Sequence, residues 1–419
     1  MRFETASNSF PRASVDAVLF KDNCVWLTEI SLFVKHRTLN SRHYFQHTEL
    51  FNPLYTSVFT AGDYRTGVAL SKFQHDLSII IPIYNTEFEY LKKCLESLRD
   101  ISHLDFEAIM VDDGSQSDYS TALKELVSNE TFPLRLIVKE NGGQNSAREL
   151  GLRVSHGRYL LFLDSDDYID PLLLERALDI AIDNEAQILT FNYERVTVDG
   201  IVIGEEAVWG AGIARLTTAE ALLGLSALFM ALFDVSFLTG LGFDLVQGTT
   251  VGEDFASVIS FASKASRIVS FGEPVYKYVF RPSSVSHKPS MDACLSILDS
   301  FDAIRVNVGE ASEEISNILE WLAILHIVFW GSMRIAQNYG VDEDAKHKLF
   351  GWMSSRYPEW RSNFYLKEKG KQYGLDFKLL VEGDWMRYRL LWLFVHRLRA
   401  KLGVVRRRVL SKGAGADEQ

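Results

Sequence analysis

From Leu77 onward the chain alternates short, wholly apolar runs with amphipathic segments, and acidic residues stand where the apolar runs end. LSIIIPI (77–83), FEAIMV (106–111), LRLIVK (134–139) and YLLFLD (159–164) read as strands buried on both faces. Between them Glu87–Arg99, Tyr119–Ser128 and Asn145–Ser155 carry apolar residues at helical spacing, as Pro171–Asn184 does after the fourth strand. Strands alternating with helices imply right-handed crossovers and a mostly parallel sheet flanked by helices, an α/β fold. ILTFNY (188–193) continues the strands, and RVTVDGIVIG (195–204) reads as a hairpin turning at Asp199-Gly200.

The flanks differ. Residues 1–75 are rich in Phe, Tyr, Thr and Val with scattered turn signals, which suits a β-rich module of no evident chemistry. After about Ser290 the pattern is helical. Ser312–Gln337 is apolar nearly all round in its middle, as in a buried helix of a small bundle. Four parts are therefore expected: 1–75, a catalytic domain over 76–289, a helical domain over 290–384, and a tail over 385–419.

Charge separates the tail from the body. The chain has a formal net charge of −11, which argues against a nucleic-acid partner, since phosphate backbones need a basic face. Trp385–Gln419 holds nine basic and two acidic residues, leaving 35 basic against 53 acidic elsewhere. Trp385–Lys412 has no acid and mixes Arg and Lys with Leu, Trp, Val and Phe, a composition suited to an anionic membrane surface. Packing of the tail on the acidic body is the alternative. Cys24, Cys94 and Cys294 are far apart and odd in number, which suits a reducing compartment. The N-terminus has no apolar signal core. The longest uncharged apolar runs, Ala221–Phe233 and Trp321–Met333, have 13 residues, short of the roughly 18–20 that span a bilayer. The expectation is a cytoplasmic protein without a transmembrane helix, peripheral at the inner face of the cell membrane.

In an open parallel sheet, ligands bind beyond the carboxyl ends of the strands. Here those ends read Ile81-Pro82-Ile83-Tyr84-Asn85, Val111-Asp112-Asp113-Gly114-Ser115 and Leu163-Asp164-Ser165-Asp166-Asp167. Two carboxylate clusters at neighbouring ends are costly without a compensating cation. A divalent metal, Mn2+ or Mg2+, with a diphosphate supplies one, because hard oxygens bind such ions. Between the clusters lies Asn141-Gly142-Gly143-Gln144-Asn145-Ser146-Ala147-Arg148. Its glycines allow close backbone approach, Asn145 is placed to cap a helix facing an anion, and Arg148 offers a positive fork.

In series, Ser78–Asn85, Val111–Ser115, Asn141–Arg148 and Phe162–Asp167 resemble the S-I-I-I-P-x-Y-N, V-D-D-G-S, N-x-G-x-x-x-A-R and F-L-D-S-D-D motifs of family 2 glycosyltransferases of the GT-A type. The resemblance covers Leu77–Pro171. It implies a Rossmann-like GT-A fold and an inverting, metal-dependent transfer from a nucleoside-diphosphate sugar, with UDP the expected nucleotide. The acceptor class it implies is a glycan or lipid-linked acceptor in surface-polysaccharide or cell-wall polymer synthesis. Pro82, Tyr84 and Glu87 would line the nucleotide pocket; Asp113 would bond the base, with Asp112 beside it. Gly143, Arg148 and Ser165 would lie at the donor, Asp164 at the ribose and Asp166 on the metal, while Asp167 would be a supporting group. Val251-Gly252-Glu253-Asp254-Phe255 resembles the family's general-base element, with Asp254 as base and Glu253 in support. In relatives a later loop closes over the diphosphate, which makes Arg281 a phosphate candidate and His287 a metal candidate. Phe229-Met230-Ala231-Leu232-Phe233 departs from the Trp or Cys with Lys that relatives carry before the acceptor segment, so acceptor contacts do not carry over.

Two other readings compete. A sugar nucleotidyltransferase would carry a Gly-rich loop with Arg and Lys after the first strand, and Ile81–Glu87 has none. A degenerate, scaffold-only relative would have lost the carboxylates, and they are present. Association into a homo-oligomer is compatible with either.

Overall fold

The computed structural model describes residues 56–60, 73–249, 251–281 and 290–395. These divide into two compact units, the first taking residues up to 215, 229–240 and 269–280, the second 216–228, 241–268 and the chain from 281 onward.

The first unit is built on one sheet. Its strands are β1 (Thr56–Thr60), β2 (His75–Ile83), β3 (Phe106–Asp113), β4 (Leu134–Lys139), β5 (Gly157–Phe162), β6 (Tyr168–Ile169), β7 (Ile188–Val196), β8 (Val202–Glu206), β9 (Ile213–Leu216), β10 (Ala231–Asp234) and β11 (Ile268–Val279). They run in the order β1-β4-β3-β2-β5-β10-β7-β11-β6, with β8 on β7 and β9 on β11. β1 to β5 pair in parallel, and β10 enters antiparallel between β5 and β7. Helices α1 (Phe88–Arg99), α2 (Ser117–Ser128), α3 (Gln144–Arg153) and α4 (Pro171–Asp183) make the crossovers, followed by the short α6 (Val235–Thr239).

The apolar runs fold as their composition requires. Leu77, Ile79, Ile80 and Ile81 on β2 and Ala108 to Val111 on β3 are fully buried, so both sheet faces are covered, as a parallel sheet demands. α1 buries Leu91, Cys94, Leu95 and Leu98. The β7–β8 hairpin turns at Gly200, whose φ of 82° lies in the left-handed region that glycine tolerates. At the amino ends of the strands, buried Glu107 accepts from Ser78 Oγ (2.8 Å), His156 N–H (2.5 Å) and Arg135 (2.7 Å). That network ties three strands together at the end away from the ligand side.

β1 falls within the expected 1–75 module, yet it extends the sheet in parallel beside β4; the rest of that module up to residue 72 lies outside the described residues. The chain runs β2, β3, β4 outward on one side, then returns through α3 to place β5 on the other side of β2. This reversal is the switch point at which such sheets bind ligands.

The second unit holds α5 (Thr218–Gly224), α7 (Glu253–Lys264), α8 (Met291–Leu295), α9 (Ile297–Val308), α10 (Glu313–Ala323), a wide-turned π-type stretch (Ile324–Gly331), α11 (Ser332–Asn338), α12 (Glu343–Arg356), α13 (Phe364–Lys369), α14 (Gly374–Val381) and a helix over 385–395. The domain expected over 76–289 is therefore shared: Thr218–Gly224 and Glu253–Lys264 fold with the helices, because α7 packs on α9 and α5. Glu313–Asn338 is continuous and, by length and composition alone, apolar enough to cross a membrane; 83% of its most apolar window is buried inside the protein. The buried-helix expectation for this stretch agrees with that. The tail begins as part of the bundle. Trp385 and Tyr388 are buried, Gln337 Nε2 donates to the Tyr388 hydroxyl (2.6 Å), and Arg389 donates to Gln337 O (2.7 Å).

Candidate active site

Three loops meet at the switch point, and short polar bonds fix them to one another. After β2, Pro82 is buried in register with Val111, while Tyr84 is 57% exposed. Asn85 takes φ 50°, a conformation that Asn tolerates better than most residues. Its N–H donates to Ser115 Oγ (2.9 Å) and its side-chain oxygen accepts from Gln116 N–H (3.0 Å). Thr86 and Ser165 share a hydroxyl bond of 2.7 Å. Glu87 is exposed at the start of α1 without a side-chain capping bond. The loops after β2, β3 and β5 are thereby held together before any ligand arrives.

The carboxylates are partnered in ways that residue identity alone does not disclose. Asp112 is fully buried and accepts from Ser115 N–H (3.0 Å) and Ser120 Oγ (2.5 Å). Asp113, expected at the nucleotide base, accepts from Lys139 Nζ (2.5 Å), Gly142 N–H (3.0 Å) and Gly143 N–H (2.8 Å). A carboxylate has about four acceptor positions, so most of its capacity goes to holding the glycine loop. Gly143 takes φ 90° as the residue preceding α3, and its N–H faces Asp113 rather than open solvent.

Asn145, expected as the helix cap, lies inside α3, fully buried, and accepts from Arg148 (2.8 Å). Arg148 is fully buried too and donates to Asp164 Oδ1 at 2.5 Å. The open anion fork expected there is thus an internal counter-charge. A strand-end carboxylate needs compensation, and the guanidinium supplies it with fixed geometry. Gln144 Nε2 also donates to Asp164 (2.9 Å).

Asp164, Asp166 and Asp167 lie within four residues of one another, and the charges of the first two act on the third. Burial pushes the Asp167 carboxyl well above its usual range, the charges of Asp166 and Asp164 push it further, and donation from Val279 N–H (2.7 Å) and the Tyr276 hydroxyl (2.8 Å) opposes them. The Cys94 thiol is raised by burial and by the same three carboxylates. Tyr276 also accepts from Asp164 N–H (3.2 Å), so β11 is bolted to this loop. Asp166 is half-buried. Among the described residues no group of three or more His, Cys, Asp or Glu is placed to hold a metal, and His287 lies outside them. A carboxylate oxygen such as that of Asp166 is of the hard type that a divalent cation prefers.

Glu253 and Asp254 open α7 in the second unit, where the helix dipole favours carboxylates. The turn before them is tightly specified. Gly252 takes φ 87°, and a Cβ there would come within 2.6 Å of Ile297 Cδ1. Val251 N–H donates to Ser296 Oγ (3.1 Å), and Ser300 Oγ donates to Val251 O (2.9 Å). Arg281 follows β11 and is half-buried. Phe229 is a packing residue, stacked on Tyr276 with ring centroids 4.5 Å apart.

Lys139, Gln144, Ser120 and Tyr276 are site residues without an assigned role in the motif reading. Lys139 ends β4 directly opposite Asp113, a pairing set by strand register and not by sequence spacing; Tyr276 had no signal beyond its place in an alternating run.

The glycosyl transferase family 2 profile matches residues 78–211. Glycosyltransferase EpsJ of Bacillus subtilis is 32% identical over 123 residues, 29% of this chain and 35% of that protein. Minor teichoic acid biosynthesis protein GgaB of the same organism is 34% identical over 118 residues, 28% of this chain and 13% of that protein. The chain therefore covers about a third or less of the length of these relatives. Among solved structures, S. aureus TarS 1–349 in complex with UDP-GlcNAc shares the fold, with a TM-score of 0.60 at 20% identity over 75% of this chain and 89% of that one. Motif series, sheet order and profile agree that residues 78–211 are similar to glycosyl transferase family 2.

Proposed function

We propose that this protein is an inverting, metal-dependent glycosyltransferase that moves a sugar from a nucleoside diphosphate, with UDP the preferred nucleotide, to a glycan or lipid-linked acceptor during cell-wall or surface-polymer assembly. The observation that carries the reading is the carboxylate-rich loop of Asp164–Asp167 at the switch point, locked from beneath by Arg148 and Tyr276. TarS structures with UDP and UDP-GlcNAc and the teichoic-acid role in the name of GgaB support the nucleotide and the polymer class.

The roles follow from chemistry. Tyr84 offers an exposed ring to the base beside Pro82 and Glu87. Asp113, with Asp112, shapes the loop under the nucleotide, and Asp164 takes the ribose. Asp166, joined by His287, would hold Mn2+ or Mg2+, which would supply Lewis-acid stabilisation of the departing diphosphate. Arg281 reaches the phosphates. Asp254 accepts the proton of the acceptor hydroxyl as its oxygen bonds to the anomeric carbon and the bond from that carbon to the diphosphate oxygen breaks; Glu253 supports it. Inversion follows from attack opposite the leaving group.

Asp254→Asn is the test of that assignment. Transfer to acceptor should fall by roughly 100-fold or more, the usual worth of a positioned base, while the KM for the donor stays within about threefold. An unchanged transfer rate removes Asp254 from the mechanism. The basic tail, 385–419, is assigned to the anionic inner face of the cell membrane, which brings the site to a lipid-linked acceptor.

A further inference from the structure

The last helices of the second unit enclose an open groove of about 810 Å³ that the transfer reading does not use. Its rim carries Arg361, Lys367, Lys371 and Lys378 against one acid, Glu382. Lys378 and Glu382 are 4.0 Å apart and mostly exposed, a pair of little energetic consequence. Lys367 and Lys371 form no ion pair among the described residues. The walls are apolar, from Leu366, Leu375, Phe377 and Val381. Gly370 lets them close: a Cβ there would come within 3.2 Å of Phe377 Cε1 and 3.4 Å of Leu366 Cδ1. Leu375 is 56% exposed beside this cationic rim.

We infer that this groove binds an anionic amphiphile, a phosphate ester carried on a long hydrocarbon chain. The rim matches the charge of the head, the walls match the chain, and the volume lies in the range of small-molecule sites. The protein's own tail is excluded as occupant by sign, because Trp385–Lys412 is basic without a single acid. A purely polar anion would leave the apolar walls wet. The inference stands on the groove alone and is independent of donor turnover.

The test titrates the full chain with dodecyl phosphate below its micellar concentration, followed by calorimetry. Dodecyl maltoside presents the same chain without charge, and inorganic phosphate presents the head without the chain. Dodecyl phosphate should saturate at one per protein and bind at least tenfold more tightly than either control. Lys367→Glu with Lys371→Glu, at two exposed positions and with the tail intact, should weaken it at least tenfold while circular dichroism and UDP-sugar turnover stay unchanged. Equal binding of either control, or a loss under threefold in the double variant, overturns the inference. Neutral vesicles carrying phosphatidic acid or a polyprenyl phosphate distinguish the sources. Displacement of dodecyl phosphate by either supports the site and names its ligand, and displacement by neither overturns it.

Discussion

Arg148 and Asp164 meet at 2.5 Å with the guanidinium wholly out of solvent, and Asn145 takes a second N–H of the same group. Removing one partner of a buried pair leaves the other charge uncompensated. Arg148→Met should therefore cost about 3 kcal/mol of folding stability or more, read from denaturant unfolding. A cost below about 1 kcal/mol would show that the pair is not the internal brace described for this loop. The motif spacing identified Asp112, Asp113, Asp164 and Asp166 because carboxylates at strand ends are costly wherever they point. What each carboxylate touches was not legible. The pairing of Asp113 with Lys139 and the glycine N–H groups depends on the register of β4 against β3, and the burial of Arg148 depends on which face of α3 meets the sheet. Both are tertiary facts, invisible to spacing.

At the scale of elements, β2 to β5 and their crossover helices were legible because burial on both faces leaves unbroken apolar runs. The antiparallel entry of β10 was not, since Ala231–Asp234 is too short to carry a period. Nor was the widening of the helix at Ile324–Gly331, where an all-apolar stretch gives no phase. That stretch carries half-buried His326, stacked on Phe255 with ring centroids 4.1 Å apart. Removal from water, with the Arg334 charge adding to it, lowers His326 from 6.5 to about 3. Between those values the unfolded chain holds a proton that the folded protein refuses, so stability is full above pH 6.5 and falls as the pH drops toward 3. His326→Leu removes this linkage. Its stability relative to wild type, from denaturant melts between pH 7 and 4, should rise steadily as the pH falls. A pH-independent difference would mean that His326 titrates as an ordinary surface histidine.

At the scale of the whole molecule, a sheet unit that carries the family 2 match is followed by a helical unit, and the domain edges were the least legible feature. Segments 216–228 and 241–268 leave the sheet unit for the helices, and interrupted domains leave no mark in composition. The tail reading also changes in detail. Trp385 and Tyr388 are packed, so the proposed membrane contact would begin with the exposed Met386, Leu390 and Phe394 of the helix over 385–395 and the basic residues after it. Removing 396–419 should sharply weaken flotation with phosphatidylserine vesicles and leave thermal stability within a degree or two; undiminished flotation assigns the membrane contact elsewhere. The central claim concerns the carboxylate loop, and release of UDP from UDP-sugars by the purified chain tests it directly. Wild type should release UDP in Mn2+ and stop in chelator, and Asp166→Ala should lower the rate by roughly 100-fold or more. Release at the wild-type rate in chelator and in Asp166→Ala alike would contradict the account.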